Sequence, residues 1–402
     1  MSQGHQYRAD SAADRRRRTG RGPPAPPRPE RARIVTRRSL VVLGVVGAVL
    51  VGVLLLTRLD FPSDDSLGAL HAPGLADRLG ELESLRVTRA GNEVVATIER
   101  SDRGWGVAER GGHPVDFERF RGSLLALSEA RRVERKTALS EFYPRIGVED
   151  VSDPDAGGYL FELGYGGSRP EDRFILGNRA GAGMIYIRTA GEEQSWMVSA
   201  ELSLSDETRD WVARDIIDLG SGEVRRVELD RGEGDRLEIA KEDRDDINFT
   251  PRDIPEGREL SYGSVANSIA GALANVEAND VRPAAEVAAL PRAVRALYET
   301  FEGLELELDV REEPPVEAGD DGAAGDDADP RYWVLFSAGA AEAADQEEPA
   351  VSAGDVVPET SPVTAEERAG ELNAALAGWA YELPGYKSDQ WFKKMDDLLR
   401  ED

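Results

Sequence analysis

Imidazole, thiolate and carboxylate positions decide what chemistry a chain can attempt, and here they are few or scattered. Histidine occurs only at His5, His71 and His113, and cysteine is absent. Zinc and iron sites draw on convergent imidazole and thiolate donors, so neither metal has an ordinary ligand set. A nucleophilic triad would rest on His113 alone, in a Gly111-Gly112-His113-Pro114 turn, where a plain loop histidine is the simpler reading. The runs Asp320-Asp321-Gly322 and Asp326-Asp327-Ala328-Asp329 suggest calcium, but they lack the alternating ligands, the glycine and the closing glutamate of an EF-hand loop. Their composition reads as a solvated linker.

Residues 177–183 (GNRAGAG) are glycine-rich without the lysine of a phosphate loop or the third glycine of a dinucleotide fingerprint. They fall between two expected strands and read as a hairpin loop. Carboxylates are so numerous that no pair stands out as an acid/base couple. Asn248-Phe249-Thr250 matches a glycosylation acceptor, a match too short to carry weight by itself. Trp105, Trp211, Trp379 and Trp391 fall within apolar patterns and are expected to pack in cores, and Trp196 and Trp333 are expected at comparable strand positions of two related units. No catalytic, cofactor-binding or metal-binding residue is assigned, no cofactor is expected, and the chain reads as a non-enzyme.

The elements that would position any site begin with an uncharged run at 39–57 (SLVVLGVVGAVLVGVLLLT). As a helix it would reach about 28 Å, close to the thickness of a bilayer's hydrocarbon core. The tail at 1–38 carries eleven arginines against Asp10, Asp14 and Glu30, while the net charge of the whole chain is −28. Arginine resists translocation, so the expected topology keeps the tail inside and puts the acidic remainder outside. The span is read as an uncleaved signal anchor. The alternative, a twin-arginine export signal at Thr36-Arg37-Arg38-Ser39-Leu40, would call for a shorter apolar region and a small-residue cleavage site. The arginine-rich composition suggests a bacterial inner membrane with the C-terminal domain in the periplasm. Such an acidic domain repels nucleic acid, which is not expected as a partner.

Residues 58–83 read as a stalk and lead-in. From Ser84, two extended segments turn at Ala90-Gly91-Asn92 and are followed by Gly104-Trp105-Gly106-Val107. A helix capped by Asp116 is expected to place Phe117, Phe120, Leu124 and Leu127 on one face, ahead of strands near 159–165, 173–176, 184–188 and 196–198. A second helix is expected from Ser205, with Trp211, Ile216 and Leu219 inward and Gly220 as its stop. The pattern then restarts. A hairpin over 224–229 and 236–241 leads to Ile247-Asn248-Phe249, a helix with Val265, Ile269, Leu273 and Val276, and strands at 304–310 and 331–336. A capping box at Thr364 and Glu367, an extended segment from Trp379 and a last helix carrying Trp391, Met395 and Leu398 close the chain. The expected fold class is α+β: two related units of antiparallel sheet with covering helices, at 84–220 and 221–402, behind one N-terminal transmembrane helix. The second unit is expected to carry disordered acidic insertions near 312–330 and 338–363.

The Leu85-Arg86-Val87-Thr88 strand, the Gly104-Trp105 step, the link at 204–229 and the ending at 379–394 (WAYELPGYKSDQWFKK) resemble the bacterial domain of unknown function 4340 family over about 75–399. The resemblance implies a protein behind one N-terminal span, often encoded beside ABC-type transporters and gliding-motility-like proteins, and it offers no catalytic residues to carry over. The expected function is a non-catalytic interaction subunit of an ABC-transporter-associated envelope assembly. Its expected partners are the lipid bilayer through 39–57 and an ABC-type permease or auxiliary subunit. A periplasmic module binding an envelope polymer or small solute is the alternative, and a carboxylate-dependent hydrolase is a third.

Overall fold

The computed structural model describes residues 66–166, 172–315, 330–341 and 363–401. Every described residue belongs to one compact unit, Asp65–Asp402.

Alternation of apolar and charged side chains builds its sheets. Strands β1 (Ser84–Arg89), β2 (Glu93–Ser101), β3 (Gly104–Val107), β4 (His113–Pro114), β5 (Arg131–Arg135), β6 (Tyr159–Gly164), β7 (Asp172–Gly181), β8 (Met184–Thr189) and β9 (Ser195–Ser199) form one antiparallel sheet, ordered β4-β3-β2-β1-β6-β7-β8-β9-β5. A short strand, β10 (Asp215–Ile217), leads to β11 (Val224–Asp230), β12 (Arg236–Ala240), β13 (Thr250–Pro251), β14 (Val276–Glu277), β15 (Asp280–Pro283), β16 (Arg292–Thr300), β17 (Leu304–Glu313), β18 (Arg331–Ala340) and β19 (Trp379–Glu382). Here the order is β13-β12-β11-β16-β17-β18-β19-β15, with β10 and β14 paired apart. Setting β4 aside, the two orders correspond strand for strand: a hairpin and a short edge strand on one side, a meander and a returning edge strand on the other.

Period-two burial is clearest in β17, where Leu304, Leu306, Leu308 and Val310 point inward and Glu305, Glu307 and Asp309 outward. One contiguous core takes side chains from both sheets, from Leu75 to Leu398. Where the halves meet, Arg110 makes a bidentate pair with Asp280 (2.9 and 3.1 Å), and the Trp379 indole donates to the Arg110 carbonyl.

The Phe117–Glu129 helix is capped as expected, Asp116 accepting from the Arg119 amide, and Phe120, Leu124 and Leu127 are buried. Phe117 departs from that face and stays exposed, at the helix start. The helix expected from Ser205 does not form. Ser205 instead bonds the Asp210 carboxylate, a single 3-10 turn spans Thr208–Trp211, and the chain then extends so that Val212 bridges Val115 and β10 pairs β14. Pairing partners are available there, and they outcompete a helix rich in β-branched residues. Val265, Ile269, Leu273 and Val276 are all buried, but Val265 lies in a turn ahead of an α turn (Asn267–Ala270) that carries Ile269, and Leu273 and Val276 fall on a 3-10 turn (Gly271–Leu273) and β14 rather than one helix. Asn275, at φ 48°, redirects the chain between them. The last helix is likewise two, Gly385–Phe392 and Met395–Leu398, separated by extended Lys393 and Lys394. Thr364 and Glu367 do form a capping box on the Ala365–Leu376 helix.

The expected architecture needs correction at its membrane end. Among the described residues no helix is long and apolar enough to cross a bilayer. The longest described helix, Phe117–Glu129, has 13 residues and reaches about 20 Å, short of the roughly 30 Å required. The run at 39–57 and the tail at 1–38 lie outside the described residues. The single-pass inner-membrane topology therefore has no structural support. With it go the bilayer as partner, the membrane-protein partners and the transporter-associated function. Of the expected stalk, Ser66 onward is described: Leu70 bridges Arg131, and Leu75 and Leu82 are buried. Of the acidic insertions, Glu312 and Glu313 lie in β17 and Ala338–Ala340 in β18, while 316–329 and 342–362 lie outside the described residues.

Candidate functional site: a cleft at the edge of the second sheet

The halves diverge at one connection. Between β2 and β3 the chain turns through Asp102 and Arg103, with the Ser101 hydroxyl donating to the Gly104 carbonyl. The corresponding link between β12 and β13 runs from Lys241 to Phe249. Asp243 shapes it: its carboxylate accepts from the Asp245 amide and its carbonyl from the Asp246 amide, while the Asp246 carboxylate accepts from the Asp243 amide. Phe249 anchors the far end in the core, and its amide donates to Asn267 Oδ1. The Asn267 amide nitrogen in turn donates to the Ile247 carbonyl and Asn248 Oδ1. Beyond it β13 pairs with β12 through Thr250 and Pro251, and the Arg252 amide donates to Glu238.

This excursion encloses an open cleft of about 850 Å³, lined by Lys241, Asp245, Asp246, Asn248, Arg252 and Asp253 among others. A second hollow of about 370 Å³ adjoins it and shares Ala240, Lys241, Glu242 and Arg252, adding Arg225, Arg226 and Glu299. Lys241 therefore lines both. It is 7% exposed, and its Nζ lies 4.8 Å from the centroid of the Phe249 ring. Among the described residues no hydrogen bond or carboxylate partner reaches that ammonium. Its neighbours are placed differently: Arg226 bonds Glu299 at 2.7 Å, Arg225 lies 3.8 Å from the same carboxylate, and Arg252 lies 3.9 Å from Glu238. The Glu299 hydrogen bond raises the Arg226 guanidinium further above its ordinary value. Ile247, 84% exposed, stands on the rim. The arrangement can hold a polar ligand by charge and amide contacts.

None of the residues weighed for chemistry on sequence grounds converges there except Asn248 and Thr250 of the glycosylation-like triplet. His71 is buried against Phe174, with Arg132 Nε at 3.5 Å, and burial, helped by that guanidinium, lowers its pKa to about 4. His113 packs edge-on against Trp379 and Tyr381 and donates from Nδ1 to its neighbour's carbonyl; burial lowers its pKa to about 4, opposed by that bond. His5 and the acidic runs at 320–329 lie outside the described residues. Among the described residues no group of histidine, aspartate and glutamate could hold a metal ion. The glycine run serves packing. A Cβ on Gly177 would run into the Ile146 carbonyl, and Gly181 and Gly183 make the hairpin turn. Trp211, Trp333 and Trp391 are fully buried, Trp196 and Trp379 nearly so, and Trp105 packs beside Phe120. Strand order corrects one placement. Trp196 lies in β9, whose counterpart is β19 with Trp379, whereas Trp333 lies in β18.

Sequence reasoning passed over Lys241. A signal existed: lysine occurs at only five positions in a chain whose other basic residues are all arginine. A family model described as "Domain of unknown function (DUF4340)" matches residues 105–292, a segment that includes the whole cleft. No curated protein and no solved structure matches the chain.

Proposed function

We propose that the two-sheet body is a non-catalytic binding module, with the cleft formed by the β12–β13 connection as its ligand seat. The observation that carries this is Lys241, a nearly buried residue that lines the cleft and whose ammonium has no hydrogen-bond or carboxylate partner among the described residues. An ammonium at the wall of a cleft, with no carboxylate of its own, is open to a charge-assisted hydrogen bond from a ligand group. The described histidines lie elsewhere, in the core, and supply no general base to the cleft. We also propose that kinship with the DUF4340 family extends over about 75–399. The matched segment begins within β3 and ends at the first residue of β16, cutting both sheets, so it lacks strands that each sheet needs.

Hydrogen exchange of the full chain, with and without pooled polar metabolites, tests the seat. Protection should concentrate in 241–253. A ligand that stabilises the protein while protecting a different region defeats the reading, and turnover of a hydrolase substrate panel that is abolished by Lys241→Met defeats its non-catalytic part.

A further inference from the structure

Resting on the cleft as the ligand seat, the distribution of charge within it specifies what kind of ligand it takes. Lys241 and Arg252 line both the cleft and the smaller hollow, where Arg225 adds a further cation, whereas Asp245, Asp246 and Asp253 line only the larger one. In a chain of net charge −28, where Arg173, Arg292 and Arg295 each pair with a carboxylate on the neighbouring strand, Lys241 lines the cleft without one. Glu242 lines both hollows but does not pair with it. We propose that the cleft binds ligands with one anionic head, a carboxylate or phosphate, seated on Lys241 Nζ with Arg252 beside it, and with a polar or cationic remainder facing Asp245, Asp246 and Asp253.

The head follows from charge-assisted hydrogen bonding, which is stronger than a neutral contact and which the ammonium lacks. The remainder follows from repulsion: a polyanion spanning the larger cleft would meet three carboxylates at close range. The Phe249 ring, 4.8 Å from Lys241 Nζ, gives the ammonium a cation–π contact at the wall of the cleft. The first sheet has no counterpart, because its two-residue turn leaves no room for one.

Calorimetric titration of the full chain, at constant ionic strength, uses three probes: ε-aminocaproate, with a carboxylate at one end and an ammonium at the other; hexylamine, which lacks the carboxylate; and inorganic phosphate. Saturable binding of ε-aminocaproate or phosphate, with hexylamine weaker by about tenfold or more, is expected. Between the two anions, the tighter one identifies the head. Lys241→Met, which keeps an unbranched side chain without the charge, should weaken the anion by about tenfold, and Lys241→Arg should restore most of the affinity. Should Lys241→Met fail to fold, Arg252→Gln provides the same comparison at an exposed position. Hexylamine binding as tightly as ε-aminocaproate, or affinity unchanged in both variants, overturns the proposal. If neutral ligands still protect 241–253 from hydrogen exchange while both anions fail, the charge assignment falls and the seat stands; if nothing protects that loop, both fall.

Discussion

The two sheets share a strand order and differ in what their chains do between strands. In the first sheet the β2–β3 link is a tight turn, and the long β5–β6 connection lies over the outer face, where Tyr143, Val148 and Val151 bury Leu160 and Ile175 in a cluster of their own. In the second, the β12–β13 link opens into the cleft, and the outer face carries cross-strand ion pairs, Arg295 with Glu307 and Arg292 with Asp309. One half spends its long connection on packing and the other on an opening. A repeated scaffold thus shows where function is added, because the shared strands supply the core and the divergent loop supplies the site.

The comparison breaks most severely if the halves are independent domains. Trp211, between them in sequence, is fully buried against Phe161, and its carbonyl accepts from Asp116. Trp211→Ala should cost about 4 kcal/mol. Equilibrium denaturation followed by far-ultraviolet dichroism and by tryptophan fluorescence should give one coincident transition, shifted as a whole. Two separated transitions would show that the halves fold apart. Trp211→Phe should cost less, because the indole nitrogen it removes is buried with no hydrogen-bond partner.

Acid should distinguish the halves next. Both described histidines belong to the first half or its lead-in, and each is held neutral with a pKa near 4 against 6.5 for a free imidazole. Between those values the unfolded chain takes up protons that the folded one refuses. Stability is therefore complete above about pH 6.5 and is lost as pH falls toward 4, by up to about 3 kcal/mol for each residue. Urea midpoints measured across that window should fall for the wild type and fall less for His71→Gln and His113→Gln, each compared with its own value at pH 7. A slope unchanged in both variants would move the acid sensitivity to the carboxylates.

How much of this was legible in the sequence depends on the kind of pattern involved. Strands such as β17 declare themselves, because alternating leucine and glutamate can bury only one face. The correspondence between halves was visible for the same reason, down to Phe249 near the position of Trp105. The stretch after Ser205 misled because the spacing of Trp211, Ile216 and Leu219 suits a helix, and only the pairing of Val212 with Val115 and of β10 with β14 shows that it is extended. The cleft was hidden for a further reason. Lys241 is a rare lysine, but it and Asp253 fall in a polar stretch without a motif, and what makes them a site is the return of β13 to β12, a tertiary fact.

Glycine positions carry the comparison to a finer scale. On the first sheet, Cβ atoms at Gly158 and Gly177 would collide with backbone carbonyls of the covering connection, so Gly158→Ala and Gly177→Ala should each cost about 2 kcal/mol. On the second, a Cβ on Gly339 in β18 meets nothing within 4 Å, and Gly339→Ala should be neutral or slightly stabilising by about 0.5 kcal/mol. Thermal midpoints of the three variants would rank them, and equal losses would mean that the covering connection is not held close.

The smallest effect belongs to the outer ladder of the second sheet. Arg295 makes a bidentate pair with Glu307, at 2.7 and 2.8 Å, between directly adjacent strands, and that bond both raises the guanidinium and lowers the carboxylate from their ordinary values. About half of the Arg295 side chain remains in solvent, however, where water competes for both partners and salt screens them. Arg295→Gln should therefore cost under about 1 kcal/mol, and the loss should shrink further at high ionic strength. Leu160→Ala, on the covered face of the first sheet, should cost about 3 kcal/mol, insensitive to salt. Denaturant midpoints at low and high salt separate the two. If Arg295→Gln were as costly as Leu160→Ala and independent of salt, the second sheet's outer face would be shielded from solvent in the folded protein, and its contrast with the first would disappear.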